Sequence, residues 1–120
     1  MDFSLPEAHQ LLRQTVRRFA EREIAPVIRD ADAEQRLDDR LVRRMGELGF
    51  LGLPIPERYG GGGMDYLAMA VACEELERVD TAFRTFMSVH LGLNSLTLLQ
   101  WGNEEQKERY LFPQAKGEKL

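Results

Sequence analysis

One cysteine and two histidines are all that this 120-residue chain offers to thiol or zinc chemistry. A single Cys73 excludes an internal disulfide, and with it the disulfide-stapled class of small secreted domains. Cys73 lies in an apolar helical stretch with no basic neighbour in sequence to favour a thiolate, so it reads as a small core residue. His9 and His90 stand far apart, with none of the Cys/His spacing that builds a zinc site. No apolar run reaches the ~20 residues of a membrane span. The first twenty residues lack the basic and apolar regions of a secretory signal. Together these absences point to a reducing, cytoplasmic setting. Cations are also short: 16 Lys and Arg against 20 Asp and Glu leave a net charge of -4, which argues against a nucleic-acid surface. The basic clusters Arg13/Arg17/Arg18 and Arg40/Arg43/Arg44 are interleaved with acids and read as solvated helix faces. In the pairs Glu74/Glu75 and Glu104/Glu105, neighbours point to different sides of a helix, so they read as solvated or capping groups. No nucleophile–base–acid set can be assembled.

What the chain does have is helical periodicity, over a length that makes one domain. The pattern predicts an all-α fold of about five helices. The first starts between Ser4 and Pro6, either through a Ser4/Glu7 capping box or with Pro6 in the first helical position. Leu12, Val16, Phe19 and Ala20 carry it to Ile24, and Pro26 should kink or break it. Residues 30–37 are polar and predict a loop. A second helix over 38–48 buries Leu41, Met45 and Leu48 and stops at Gly49. Pro54, Pro56 and the run Gly60–Gly63 forbid helix over 49–63. The run reads as a structural turn: no Lys-Ser/Thr follows it and the G-x-G-x-x-G spacing is absent. Asp65 should cap a third helix to about Val79, and Asp80 a fourth to about Trp101. The fourth is apolar on all sides, which marks a buried helix. A 120-residue domain has little protein to cover it, so part of its surface should meet another domain or subunit. Gly102 ends it, and Asn103 with Gln106 makes a capping box for a fifth helix. The closing residues Lys116–Leu120 show no finish, and more chain is expected beyond them.

The candidate site residues sit on the fourth helix. On an ideal wheel Arg84, Ser88, Leu91 and Ser95 form one stripe, each within about 60° of Arg84 at roughly 100° per residue. An arginine near a helix N-terminus opposes the dipole by ~0.3–1 kcal/mol and needs compensation. Two readings are open. Arg84 reaches solvent or pairs with Glu75 or Glu77; or its guanidinium faces a pocket and holds a ligand carboxylate, with the Ser88 hydroxyl one turn on.

Several long segments, in order, resemble the acyl-CoA dehydrogenase family. They are Phe3-Ser-Leu-Pro-Glu, Arg18-Phe-Ala-Glu-Arg-Glu-Ile-Ala-Pro26, Met45-Gly-Glu-Leu-Gly-Phe-Leu-Gly-Leu-Pro-Ile-Pro-Glu-Arg-Tyr-Gly-Gly61, Glu74-Glu-Leu76, and Gly102-Asn-Glu-Glu-Gln-Lys107 with Tyr110-Leu111. The resemblance implies that residues 1–120 are the family's N-terminal α-helical domain, without its middle β-domain and C-terminal helical domain. It implies a homotetrameric, FAD-dependent enzyme that oxidises the Cα–Cβ bond of an acyl-CoA thioester and passes electrons to electron-transfer flavoprotein. The base and most flavin contacts come from the two other domains, so no catalytic residue is expected here, and the piece alone should be inactive. This domain would supply a wall of the acyl pocket through the fourth helix. The stretch Glu75–Val89 is most similar to the glutaryl-CoA dehydrogenase branch, in which the positions of Arg84 and Ser88 bind the distal carboxylate of the substrate. His90 and Leu91 depart from that branch, so another dicarboxylyl-CoA such as an arylsuccinyl-CoA fits as well. Two other readings stand beside it: a short or branched monocarboxylic acyl-CoA with Arg84 structural, and a non-enzymatic helical interaction module.

Overall fold

A computed structural model describes all of residues 1–120 as five helical rods joined by short turns, with no strand. The first rod runs from α1 (Glu7–Phe19) through a π turn (Ala20–Ile24) into α2 (Ala25–Ala33). Pro6 occupies the N-cap position with no side-chain cap, so the second of the two expected starts is nearer the observed one. Pro26 does not break the rod. It sits in the first turn of α2, directly after the π turn. A proline ring presses on the carbonyl one turn back, and the wider π turn supplies the room. The rod therefore continues to Ala33, and Ala31 is buried. The loop predicted over 30–37 shrinks to the residues after Ala33.

α3 (Asp39–Glu47) starts where Asp38 accepts a hydrogen bond from the Arg40 amide at 2.9 Å. It ends at Gly49, whose φ of 81° is the left-handed conformation that a helix stop requires. α4 (Tyr66–Glu77) is capped by Asp65, which accepts from the Ala68 amide at 2.9 Å. The fourth rod joins α5 (Thr81–Ser88), a π turn (Val89–Ser95) and α6 (Leu96–Trp101). Asp80 caps it by accepting from the Phe83 amide at 3.0 Å. The fifth joins α7 (Glu104–Gln106), a π turn (Lys107–Leu111) and α8 (Phe112–Ala115), behind the expected reciprocal Asn103/Gln106 box.

The crossing between α3 and α4 contains two 3-10 turns, Phe50–Gly52 and Glu57–Tyr59. Its glycine amides are spent internally: Gly61 donates to Pro56, Gly62 to Gly52 and Gly63 to Ile55, at 3.2, 2.8 and 2.9 Å. No ring of free amides remains to cradle a phosphate, and the run is a structural turn.

Nineteen buried apolar residues form one core that draws on every rod. Phe19 meets Phe50 edge-on, with ring centroids 5.6 Å apart. The domain is a slab with extents of 42 × 42 × 19 Å. Its radius of gyration, 14.5 Å, exceeds the about 13.6 Å of a rounder chain of this length. A slab has little interior. Phe83, Met87 and Leu91 of the fourth rod are buried, but Leu93 and Trp101 are 68 % and 77 % exposed. The helix expected to be buried all round is buried on one side of this domain and open on the other.

Two polar expectations also change. Glu75 is only 2 % exposed. It accepts two hydrogen bonds from Arg17, both at 2.9 Å, and one from Arg78 at 3.0 Å. The Arg13 guanidinium lies 3.6 Å away. Arg13 and Arg17 are thus the clamp on a buried carboxylate, not a solvated face, and Glu74/Glu75 splits into one outward and one inward acid. Helix spacing alone does not show that α1 packs along α4. The Arg17 hydrogen bonds first, and those of Arg78 after them, hold the Glu75 carboxyl below the ordinary carboxylate range.

Candidate functional site on the α4–α5 flank

Arg84 stands in the first turn of α5, half-buried. The Asp80 cap and the buried Phe83 fix its direction. Its Nε donates to Glu77 Oε2 at 2.6 Å, and Glu77 also accepts from the Thr81 hydroxyl at 2.8 Å. The Arg84 bond, then the Thr81 bond, lowers the pKa of Glu77. The pairing of Arg84 with Glu77 is one of the two alternatives left open by the sequence. It uses only one edge of the guanidinium: the two Nη groups make no hydrogen bond within the chain. Ser88, one turn on, donates its proton to the Thr85 carbonyl at 3.0 Å. It can accept as it stands, and must rotate to donate to a ligand.

The four-residue stripe does not survive intact. Leu91 and Ser95 are completely buried, and Ser95 donates to the Gln114 side chain at 3.1 Å. The π turn Val89–Ser95 takes more residues per turn than the 3.6 of the ideal wheel, so positions beyond Ser88 are re-phased. The residue that follows Arg84 and Ser88 along the half-buried edge is Gly92. A Cβ built on Gly92 would point at Met69 of α4, 3.9 Å from its Cε. Met69, Cys73 and Glu77 are spaced by four on α4, and Arg84, Ser88 and Gly92 are spaced by four opposite them. The cation of Arg84 acts on the Cys73 thiol, yet burial pushes that thiol up overall. Cys73 is therefore a neutral wall residue at the flank and not a nucleophile. Sequence reasoning missed Gly92 because the wheel assumed a uniform pitch. Its signal was the repeat of four, Arg84–Ser88–Gly92.

The clefts of the domain lie elsewhere. One of ≈ 250 Å³ runs between α2 and Asp80/Ala82, and one of ≈ 500 Å³ lies beside Arg13 and Arg17. The α4–α5 flank is an open wall, one side of a pocket. No three His, Cys, Asp or Glu side chains converge on a metal-sized site, and no helix is long and apolar enough to cross a membrane. With the loop amides spent, these residues do not fit a flavin dinucleotide by themselves.

Behind the flank, His90 is 3 % exposed and stacks on Phe86 with centroids 6.0 Å apart. Its Nε2 lies 2.8 Å from the Gln114 carbonyl, to which it donates. Burial lowers the His90 pKa below its ordinary 6.5, against the smaller opposing effect of that hydrogen bond. A depressed folded-state value contributes stability that is present above pH 6.5 and lost as pH falls through the folded value. The urea midpoint should therefore drop on acidification from pH 7.5 to 5.5, and His90→Gln should flatten that stretch of the profile. An unchanged slope in the variant would assign the drop to other groups.

The chain matches the family model "Acyl-CoA dehydrogenase, N-terminal domain" over residues 6–118. It is 41% identical over 120 residues to a short-chain specific acyl-CoA dehydrogenase of Clostridium acetobutylicum, covering 100% of this chain and 32% of that protein. It superposes on the butyryl-CoA dehydrogenase of Megasphaera elsdenii with a TM-score of 0.94 and 33% identity, covering 100% of this chain and 32% of that one. It superposes on a glutaryl-coenzyme A dehydrogenase, solved as its glutaryl-CoA complex, with a TM-score of 0.92 and 37% identity, covering 98% of this chain and 31% of that one. The chain spans about a third of the length of these relatives.

Proposed function

This chain belongs to the acyl-CoA dehydrogenase family, as its N-terminal domain, and from that premise we propose that its α4–α5 flank forms one wall of the acyl pocket in a full-length enzyme. That enzyme oxidises the Cα–Cβ bond of an acyl-CoA thioester. FAD, held by other parts of the protein, supplies the redox chemistry, and electron-transfer flavoprotein takes the electrons from a homotetramer. The residues of this chain bind and orient the acyl tail. An open, mostly apolar wall with a few fixed polar groups suits that task.

The substrate we infer is a dicarboxylyl-CoA of the glutaryl type. The observation that carries this is the free Nη edge of Arg84 beside Ser88, with only Nε committed to Glu77. A guanidinium can hold one carboxylate on each edge, and the planar fork suits bidentate capture. A plain alkyl tail would leave that edge desolvated and unpaired, which is rejection by penalty. The Glu77 pair itself favours a second reading, supported also by the 41% identity to a short-chain specific relative: a short monocarboxylic acyl-CoA, with Arg84 fully neutralised by Glu77.

Anaerobic flavin bleaching in the full-length protein separates the two. Under the first, Arg84→Ala lowers kcat/KM for glutaryl-CoA by about 10–100-fold, the range of one hydrogen bond to a charged group, and leaves butyryl-CoA unaffected. Efficient bleaching by butyryl-CoA alone, unchanged in the variant, sinks the dicarboxylate reading and leaves Arg84 a structural partner of Glu77.

A further inference from the structure

Nine of the ten glycines have a local reason to be glycine. Gly49, Gly60, Gly63 and Gly117 have positive φ, and the other five would bring a Cβ within 3.3 Å of a backbone atom. Gly92 has neither reason. It lies inside a continuous helical rod with no positive φ, and an added Cβ would meet a single atom, Met69 Cε, at an ordinary 3.9 Å. Glycine in a helix interior is disfavoured relative to alanine, so a glycine that the fold does not need is a local weakness. The position coincides with the π turn and with the repeat Arg84–Ser88–Gly92 along the open flank. The space left by the missing side chain opens outward, away from the core. Close approach of a ligand is the remaining use for such a site.

We propose that Gly92 is a specificity-determining position: its missing side chain keeps the flank open where the acyl tail of the substrate lies against Met69. This rests on the acyl-pocket reading above. Met69 forms the other side of the gap, and its flexible thioether can adapt to tails of different width. A methyl at position 92 narrows the gap, and a branched side chain closes it. Tail length is therefore limited at this point of the wall, whichever acyl class Arg84 selects.

The test uses Gly92→Ala and Gly92→Val in the full-length flavoprotein, with two readouts. The first is thermal unfolding. Gly92→Ala should keep or raise the midpoint, by up to about 4 °C, because nothing in the fold requires the glycine. A clear fall overturns the proposal, since the glycine would then be structural. The second is kcat/KM along mono- and dicarboxylyl-CoA series, each from its shortest to its longest accepted tail. The ratio of longest to shortest should drop about tenfold in Gly92→Ala, and further in Gly92→Val. Met69→Ala in the Gly92→Val background should return part of it. An unchanged ratio, or an equal loss for all tails, overturns the role of Gly92 while leaving the acyl-pocket reading intact. A wild-type flavoprotein that is bleached by no acyl-CoA removes both.

Discussion

Gly61→Ala is expected to cost about 3 kcal/mol or more, the largest effect of any single methyl in this chain. A Cβ there would lie 2.6 Å from the Ile55 carbonyl carbon and closer still to its oxygen. These are backbone atoms, so no side chain can turn aside to relieve the clash. Ile55 is completely buried, and its carbonyl also accepts the Gly63 amide. The crossing would have to move as a unit, pulling Leu53 and Ile55 out of the core and breaking the amide ladder of Gly61–Gly63. Gly62→Ala, one residue on, is the control. Its Cβ would approach the Leu53 carbonyl oxygen at 3.3 Å, a contact that a small shift relieves. Urea unfolding should show a large loss of midpoint for Gly61→Ala and a small one for Gly62→Ala. Equal midpoints would refute the argument that the crossing is a closely stacked backbone turn.

Glu75→Gln should cost about 2–3 kcal/mol. Glutamine keeps the size and one acceptor, but it leaves Arg13, Arg17 and Arg78 gathered round a neutral group. Removing one member of a buried ion pair strands the other charges, and a full burial of both sides costs about 3–5 kcal/mol. The value here is smaller because the arginine side chains are 38–51% exposed and reach water. The pH dependence has a definite sign. The folded-state pKa of Glu75 is depressed, so its contribution is present above the ordinary value of 4.5 and lost as pH falls through the folded value. The difference between wild type and Glu75→Gln should therefore be full at pH 7 and close on acidification. A double cycle with Arg17→Gln should recover a coupling energy; zero coupling would mean that the clamp is ornamental.

The parts of the fold that were legible in the sequence are those whose cause is local. Asp65, Asp80 and Asn103 each cap the helix that follows within three residues, and Gly49 stops the one before it. Such signals are complete within a few positions of chain. What was not legible depends on pitch or on distant packing. Pro26 looked like a break because a uniform helix cannot hold it, whereas a π turn can. Leu91 and Ser95 looked like companions of Arg84 for the same reason. Glu75 looked solvated because its partner Arg17 lies 58 positions away. Arg84 and Ser88 were found from spacing and resemblance, and both lie on the open flank, Arg84 with Glu77 already on one edge. Cys73 and Gly92, their neighbours across and along the seam, became visible only once α4 and α5 were set side by side.

The π turn at Val89–Ser95 also works as a phase shifter. A π turn is in effect an α-helix with one residue inserted. Deleting a residue there would restore even winding without breaking the rod, and would rotate everything beyond it by about 100°. Leu96, Leu98 and Leu99 would leave the core together, and a different set of side chains would face inward. Upstream, Arg84 and Ser88 would stay where they are. The substrate-facing end and the core-facing end of one helix can thus be re-indexed against each other by a change in chain length, which no substitution can do.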